Sequence, residues 1–492
     1  MNYSELLQLL LPETVVVLTA LLALLVDLAW LRDASTSQRR RTIALLTTVG
    51  CGIALWLLAK PVAQTRLFEG VLTIDPLGQF MKQILLVLTV FTGWLVVDSD
   101  FTRHVGEFFA LLLLATVGMM FLVSSENILV IFIALELLSL SLYVMTAFQK
   151  TSLGSAEAAL KYFLFGGMSA AFLLFGLSLV YGLSNSLALS EIASALRGKP
   201  IDPLLVAAMV MVAIGLGFKI AAVPFHLWAP DAYQGAPGPV AAFIASGSKV
   251  ASFFILARVF LVGFAGAEGD GAWRQFSTGW VPLLGIIALL SIVLGNLTAI
   301  AQKSVRRLLA YSAVAQAGYM LIGLLSGNQE GLASVLYYVT TYAFTTLGAF
   351  GVVTIVQERT GDEDYGSFAG LSRRSPLLAF CMLIFLLSLA GIPPLAGFFG
   401  KFYLFAAALG GPKDLGLLWL VIIAVAMSAV SLYYYLLVLK QIYVAESSSS
   451  PLRGSWPAEA AIVALAVGVV LLGCMPSLLL NRFQAGLKAI GF

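Results

Sequence analysis

The sequence predicts an all-α polytopic membrane protein with about fourteen transmembrane helices. Of its 492 residues, 60% are hydrophobic and only 11% carry a formal charge, whereas an ordinary soluble domain is about 25% charged. Apolar runs long enough to cross a bilayer recur along nearly the whole chain. Two of these runs are too long for one straight helix and contain prolines in the middle. Together these observations exclude a soluble protein and indicate membrane-spanning helices, two of which are broken.

A membrane-spanning helix needs about 20 predominantly apolar residues, and fourteen runs come close to this length or exceed it. In chain order the predicted spans are 8–31, 42–60, 77–98, 105–123, 127–149, 157–183, 203–233, 237–262, 280–301, 306–326, 331–357, 376–409, 414–440 and 457–476. The connections are short and contain no soluble domain. The first run lacks a basic leader and a cleavage site, so it is expected to be a retained helix and not a signal peptide.

The basic residues in the connections predict the orientation of the chain. Fourteen Lys and Arg residues lie in connections that follow odd-numbered spans, with Arg39, Arg40 and Arg41 as the densest group. Eight lie on the other side, termini included. Because cytoplasmic loops carry the excess of Lys and Arg, both termini are predicted on the non-cytoplasmic side.

The two interrupted spans predict an internal repeat. Pro224 interrupts the seventh span, and Pro393 with Pro394 interrupts the twelfth, five spans later. Paired breaks of this kind mark inverted repeats in transporters; two ordinary proline kinks are the alternative. The predicted units are N-terminal helices 1–3 (residues 1–104), a first inverted five-helix repeat with broken helix 7 (105–262), a second with broken helix 12 (280–440), and helix 14 with the C-terminal tail (441–492).

A few charged residues lie inside the predicted spans and are the candidate functional groups. Lys219, Lys249 and Lys401 have apolar sequence on both sides, as does Glu136, and Lys161 lies about one turn inside the sixth span. A charge at the centre of a span costs at least about 2.5–3.5 kcal/mol, so such residues face the interior of the helix bundle and usually mark a pathway. Buried structural ion pairs are the alternative, but three central lysines face one central glutamate.

Two further basic residues inside spans, Lys82 and Arg258, lie near span ends and are expected to reach the interface as anchors. Two other groups are expected to be unremarkable. The run Tyr433-Tyr434-Tyr435 is interpreted as interface or packing and not as a cofactor site, and the acidic cluster 362–364 as a solvated loop or a subunit contact.

The interior charges suit proton transfer better than redox chemistry. Burial disfavours the charged forms of both Lys and Glu, so both can exchange protons near neutral pH. His226 lies beside the first break, where it either joins the relay or binds a freed carbonyl. Three scattered cysteines and two histidines exclude haem and iron–sulfur centres in this chain. No nucleotide or metal motif occurs, so no bound cofactor or metal is predicted, and the net charge of +3 gives no reason to expect nucleic acid.

The segments around these charges resemble the antiporter-like subunits of complex I, a family that also includes the large subunits of multi-subunit cation/proton antiporters. The segments that carry the resemblance are Ala134-Leu-Glu-Leu-Leu-Ser-Leu140, Ala159-Leu-Lys-Tyr-Phe-Leu-Phe-Gly166, Gly217-Phe-Lys-Ile-Ala-Ala-Val-Pro-Phe-His-Leu-Trp228, Pro237-Gly-Pro-Val240 with Lys249 downstream, and Gly391-Ile-Pro-Pro-Leu-Ala-Gly-Phe-Phe-Gly-Lys401. Lys401, Leu11-Pro-Glu-Thr14 and the absence of room for a lateral helix before Phe492 are closest to the N-type branch of that family.

The resemblance implies roles for the matching residues. Glu136 and Lys219 would be the coupling pair with Lys161 close to them, Lys249 the central relay, and Lys401 the exit-side group. It also implies a bacterial inner-membrane location. The partners would be other membrane-arm subunits, among them a sister antiporter-like subunit and small membrane subunits. NADH, FMN, iron–sulfur clusters and quinone would be bound by partner subunits. A cation/proton antiporter subunit and a non-pumping scaffold are the competing functions.

Overall fold

The computed structural model of the chain describes residues 7–60, 64–68, 70–273, 275–410, 415–446, 451–452 and 454–490. Three of the basic residues on which the predicted orientation depends lie outside the described residues: Arg274, Lys413 and Arg453.

Fourteen spans form the fold, as the sequence predicts. Thirteen helices of the described residues are long and apolar enough to cross a membrane, and two shorter apolar helices make up the remaining span. The spans are α1 Leu11–Trp30, α2 Thr36–Leu58, α3 Pro76–Val96, α4 Val105–Val123, α5 Ile128–Thr146, α6 Leu153–Ser184, α7a Pro203–Ile220 with α7b Trp228–Gly235, α8 Gly238–Gly263, α9 Trp280–Ile300, α10 Val305–Leu325, α11 Gln329–Thr360, α12a Pro376–Ala390 with α12b Ala396–Leu409, α13 Leu418–Tyr443 and α14 Trp456–Cys474.

Polar residues begin many of these helices. The side chain of Asp75 accepts a hydrogen bond from Gly78 N at the start of α3, and Asp202 does the same for Leu205 N at the start of α7a. Such caps satisfy N–H groups that have no partner within the helix. They therefore set where these two spans begin.

The connections contain small elements that the sequence did not predict. An antiparallel hairpin pairs Thr65–Leu67 with Leu72–Ile74 between α2 and α3. Short helices cover Leu189–Leu196 and Ser477–Ala489. These elements add a little β structure to an otherwise helical fold.

Ion pairs near the ends of the spans show which ends share a side. Asp98 and Asp100, which follow α3, pair with Arg359 in the last turn of α11 and with Arg40 near the start of α2. The ends of α3 and α11 and the start of α2 therefore lie on one side, as the predicted alternation requires. The division into inverted repeats and its four units stays a prediction.

The interior of the bundle is formed by α8, α10 and α11. The most apolar stretch of α8 is 100% buried, and those of α10 and α11 are 94% buried, against 33% for α6 and α13. A polar side chain on α8, α10 or α11 therefore lies in the protein interior. The candidate site is built around these three helices.

Candidate functional site: a row of buried lysines

The break in α7 places Lys219 at a helix end inside the bundle. α7a ends at Ile220, and Ala221 adopts a left-handed conformation that stops the helix. Two side chains satisfy backbone groups at the break: Ser291 Oγ accepts from Val223 N at 2.9 Å, and Trp228 Nε1 donates to Phe218 O at 3.0 Å. A cation is favoured at a helix C-terminus, which is where Lys219 lies.

Glu136 and Lys219 share a small cavity but do not form a direct ion pair. The cavity has about 20 Å3 open to the centre of a water molecule, and Tyr143 and Gly166 also line it. This volume is enough for about one water molecule. In the described part of the chain, Lys219 Nζ has no hydrogen-bond partner, and its distance from the Glu136 carboxylate exceeds the 4.0 Å of an ion pair. The predicted pair is thus two neighbouring groups separated by a space of water size.

Gly166 is required for this arrangement. A Cβ at this position would overlap the hydroxyl of Tyr143. The absence of a side chain lets α6 approach α5 and places the phenol beside the cavity. The Lys219 ammonium lies 6.0 Å from the centre of the Tyr143 ring.

Lys249 lies on α8, directly after a π-helical turn formed by Ile244–Ser248. Its side chain is 1% exposed, and Nζ donates to the carbonyl of Ala313 on α10 at 2.5 Å. The face of Tyr342 on α11 lies 5.4 Å away. Three helices of the interior therefore enclose this amine.

Lys401 lies on α12b and reaches back to the break in α12. Its Nζ donates to the carbonyls of Leu389 and Ala390 at 3.0 and 3.2 Å, and to Ser428 Oγ at 2.9 Å. The two carbonyls end α12a, where no further helical turn exists to occupy them. The three acceptors match the three N–H groups of an ammonium. A cavity of about 320 Å3 adjoins Lys401 and Ser428.

A buried polar cluster lies between Lys249 and Lys401. Gln316 on α10 accepts from Tyr338 Oη at 2.5 Å and donates to the Leu389 carbonyl at 3.1 Å. Tyr435 bonds both Ser312 and Gln316. The cluster is extended by Asn296, Tyr319 and Tyr434.

Sequence reasoning missed this cluster. Tyr434 and Tyr435 were expected to be packing residues, yet both are fully buried and hydrogen-bonded, while Tyr433 is exposed. Ser, Gln and Tyr occur throughout apolar spans. The only signal in the sequence is that α10 carries Ser312 and Gln316 while α13 carries adjacent tyrosines. This signal does not show that these faces of the two helices contact each other.

Lys161 lies apart from the buried row. It pairs with Asp231 on α7b at 2.9 Å and with Glu157 at 2.7 Å, and its side chain is 41% exposed. Arg307 holds the other oxygen of Asp231 at 2.8 Å. The ion pairs of Lys161 are thus with Asp231 and Glu157, and its proximity to Glu136 stays a prediction.

His226 lies in the break between α7a and α7b. Its ring centre is 6.4 Å from that of Tyr311 on α10. Among the described residues, its buried Nδ1 has no hydrogen-bond partner. The histidine thus borders α10 without joining the cluster around Gln316.

Lys82 and Arg258 are buried ion pairs, and the expectation that they anchor at the interface is wrong. Lys82 lies 2.6 Å from Glu13, with side chains 5% and 3% exposed. Arg258 pairs with Asp75 at 3.2 Å and is 6% exposed. Carboxylates on other helices capture both cations before they reach the surface.

The acidic loop 362–364 is exposed at Asp362 and Asp364, as expected, but buried at Glu363. Glu363 is 7% exposed. It accepts from Ser304 Oγ at 2.7 Å and pairs with Arg306 at 3.3 Å. This carboxylate therefore ties the loop to the start of α10.

Comparison with known proteins identifies the class. The model of the family described as NADH:quinone oxidoreductase/Mrp antiporter, TM, matches residues 125–431. This stretch contains Lys219, Lys249 and Lys401. In the solved structure of the Mrp complex from Dietzia sp., a chain that is 21% identical superposes with a TM-score of 0.80 over 97% of both chains. At this identity the likeness shows a shared fold. The class is thus that of antiporter-like membrane subunits.

Closer relatives specify the branch. NADH-quinone oxidoreductase subunit N 2 of Acidobacterium capsulatum is 52% identical over 98% of this chain and 99% of its own length. A chain in the structure of respiratory complex I from Thermus thermophilus with bound aureothin is 34% identical, with a TM-score of 0.78 over 96% of this chain and all of that one. The chain belongs to the subunit N family of NADH-quinone oxidoreductase. It is a multi-pass membrane protein, and its family implies other complex I subunits as its neighbours. Among the described residues, no group of three or more His, Cys, Asp or Glu could hold a metal ion.

Proposed function

We propose that this chain translocates protons across the membrane through Glu136, Lys219, Lys249 and Lys401, driven by electron transfer from NADH to quinone in partner subunits. NADH, FMN, the iron–sulfur clusters and quinone belong to those partners. The neighbours in the membrane arm are a sister antiporter-like subunit and small membrane subunits, surrounded by lipid. The proposed location is the bacterial inner membrane, with both termini on the non-cytoplasmic side. Membership of the subunit N family supports the function and the partners, and the distribution of Lys and Arg between the connections supports the orientation.

One observation carries the proposal. Within the described residues, the amines of Lys219, Lys249 and Lys401 are buried without a carboxylate within 4.0 Å. By contrast, Lys82 and Arg258, which are as deeply buried, each have one. The protein thus holds these two interior cations in direct ion pairs and leaves the three lysines of the row without one, although Glu136 lines the same cavity as Lys219.

An unpaired buried lysine is suited to exchange its proton. Its charged form bears the cost of burial without the return of an ion pair, so its two protonation states lie close in free energy. A proton can then be loaded and released by small changes in the surroundings, such as movement of Glu136 beside Lys219. A lysine locked to a carboxylate, as Lys82 is to Glu13, lacks this property.

The three lysines also support lateral transfer of protons from Lys219 through Lys249 to Lys401. Lys219 has no described hydrogen-bond acceptor, Lys249 has one, and Lys401 has three. The large cavity beside Lys401 provides room for water and for release to the exit side or to a neighbouring subunit. The partly exposed pair of Lys161 and Asp231 is proposed to shape the entry of protons. His226 borders the row at the α7 break and is proposed as an accessory group.

The test is substitution in the intact complex reconstituted into vesicles. Lys219→Ala, Lys249→Ala and Lys401→Ala are each expected to lower NADH–quinone activity and proton uptake together, by about tenfold or more, with assembly unchanged on a native gel. Lys440→Ala, an exposed lysine at the end of α13, is the matched control and should behave as the parent complex. Full pumping by all three variants would refute the relay and leave a scaffold. Proton movement that requires sodium and no NADH would indicate a cation/proton antiporter instead.

A further inference from the structure

Gln316 lies at the centre of the polar cluster and joins the surroundings of both lysines. It is on α10, completely buried. One turn earlier on the same helix, the Ala313 carbonyl holds Lys249. On its other side, Gln316 Nε2 shares the Leu389 carbonyl with Lys401. Gln316 is therefore the side chain of the cluster that links the helix carrying the Lys249 acceptor to the carbonyl that holds Lys401.

The hydrogen bonds fix the orientation of the Gln316 amide. The Leu389 carbonyl can only accept, so the amide nitrogen must face it. The amide oxygen is then left to accept from the hydroxyl of Tyr338 at 2.5 Å. A second interaction joins Nε2 to Tyr435 Oη at 3.5 Å. Gly400 lets the Tyr338 ring lie this close, because a Cβ there would overlap it.

Hydroxyl groups can pass a proton onward, but a primary amide in this arrangement cannot. A hydroxyl accepts a proton on a lone pair and releases its own. The Gln316 nitrogen has no lone pair available for an incoming proton, and the oxygen carries no proton to give. Passage would require the imidic acid tautomer, with one proton gained on oxygen and one lost from nitrogen. The Leu389 carbonyl likewise offers no exchangeable proton.

We propose that Gln316 insulates Lys249 from Lys401, so that a proton crosses between them only when the cluster opens to water or rearranges. The inference rests on the proposed function. The amide and the Leu389 carbonyl lie among the hydroxyl groups of Ser312, Tyr338 and Tyr435 and interrupt them with groups that cannot pass a proton on. Such an interruption prevents a proton held at Lys401 from returning to Lys249 while the complex is at rest. Gln316 is thus a positioning residue of the proton path: it acts through the separation it maintains and does not carry the proton itself.

The experiment measures the passive proton permeability of vesicles that contain the intact complex without NADH. Gln316→Glu keeps the shape and supplies a group that can accept and release a proton. It is expected to make an imposed pH difference decay about tenfold faster. Gln316→Leu removes the amide without supplying such a group and should leave the decay at the parent rate. Gln316→His, which can also accept and donate, serves as a second conducting variant if the Glu variant fails to assemble.

A double variant identifies the route. Adding Lys249→Ala to Gln316→Glu should return the decay to the parent rate, because the leak would run through Lys249. Equal leaks in the Glu and Leu variants, a leak that persists in the double variant, or no leak in either conducting variant would each overturn the inference. The Lys249→Ala variant alone tests the proposed function. If it abolishes pumping while Gln316→Glu does not leak, the relay stands and only the insulating role fails.

Discussion

Lys82→Met should lower the stability of the complex and leave pumping intact, whereas Lys249→Met should leave stability nearly unchanged and lower pumping. Lys82→Met leaves the Glu13 carboxylate, 3% exposed, without its cation at 2.6 Å. Removing one partner of such a buried pair costs about 3–5 kcal/mol, which is a factor of roughly 10² to 4 × 10³ in an equilibrium constant. Lys249→Met removes one hydrogen bond, to a helix carbonyl, and no ion pair. That loss costs about 1 kcal/mol, part of which the apolar methionine offsets.

The assay compares the amount of assembled complex that survives a heating series and the proton uptake per assembled complex. Lys82→Met should lower survival strongly while each intact complex still pumps. Lys249→Met should survive nearly as the parent does and pump little. The double variant Glu13→Leu, Lys82→Met should recover most of the stability, because a buried pair can often be replaced by apolar side chains. Equal destabilisation by the two methionine variants, or no recovery in the double variant, would refute the distinction between paired and unpaired lysines.

Two further substitutions test contacts at the edge and centre of the bundle. Gly400→Ala would place a Cβ 2.0 Å from a ring carbon of Tyr338, so it should cost about 1–3 kcal/mol and lower thermal survival of the complex. Gly468→Ala, where a Cβ meets nothing within 4 Å, is the control, and equal behaviour of the two would contradict the steric argument. Asp231→Asn removes the charge that Lys161 contacts at 2.9 Å. Because the pair is partly exposed, the loss of stability should be small, and salt should destabilise the parent more than the variant; an unchanged salt response would show that the pair is not stabilising.

Much of the architecture follows from local sequence. The fourteen spans and the two breaks were predicted because a bilayer requires long apolar segments and because proline interrupts a helix wherever it occurs in the interior. The depth of Lys219, Lys249 and Lys401 follows from the same count. Each of these properties depends on residues adjacent in the chain.

The pairing of the charges does not follow from local sequence. Lys82 and Arg258 occupy positions near span ends, much as anchors do, but they are bound by Glu13 and Asp75. Asp75 is 183 residues from Arg258 in the chain. Only the packing of the helices shows that the carboxylate is there.

The sequence by itself therefore determined that this is a membrane protein of broken and unbroken helices with a few charges at depth, because hydrophobicity and proline act locally. Only the tertiary structure decided which of these charges are held in direct ion pairs and which are not. It also placed Gln316 between Lys249 and Lys401, with partners from α11, α12 and α13. In a medium without water, the state of a polar group depends on the neighbours that packing supplies, and those neighbours come from distant parts of the chain.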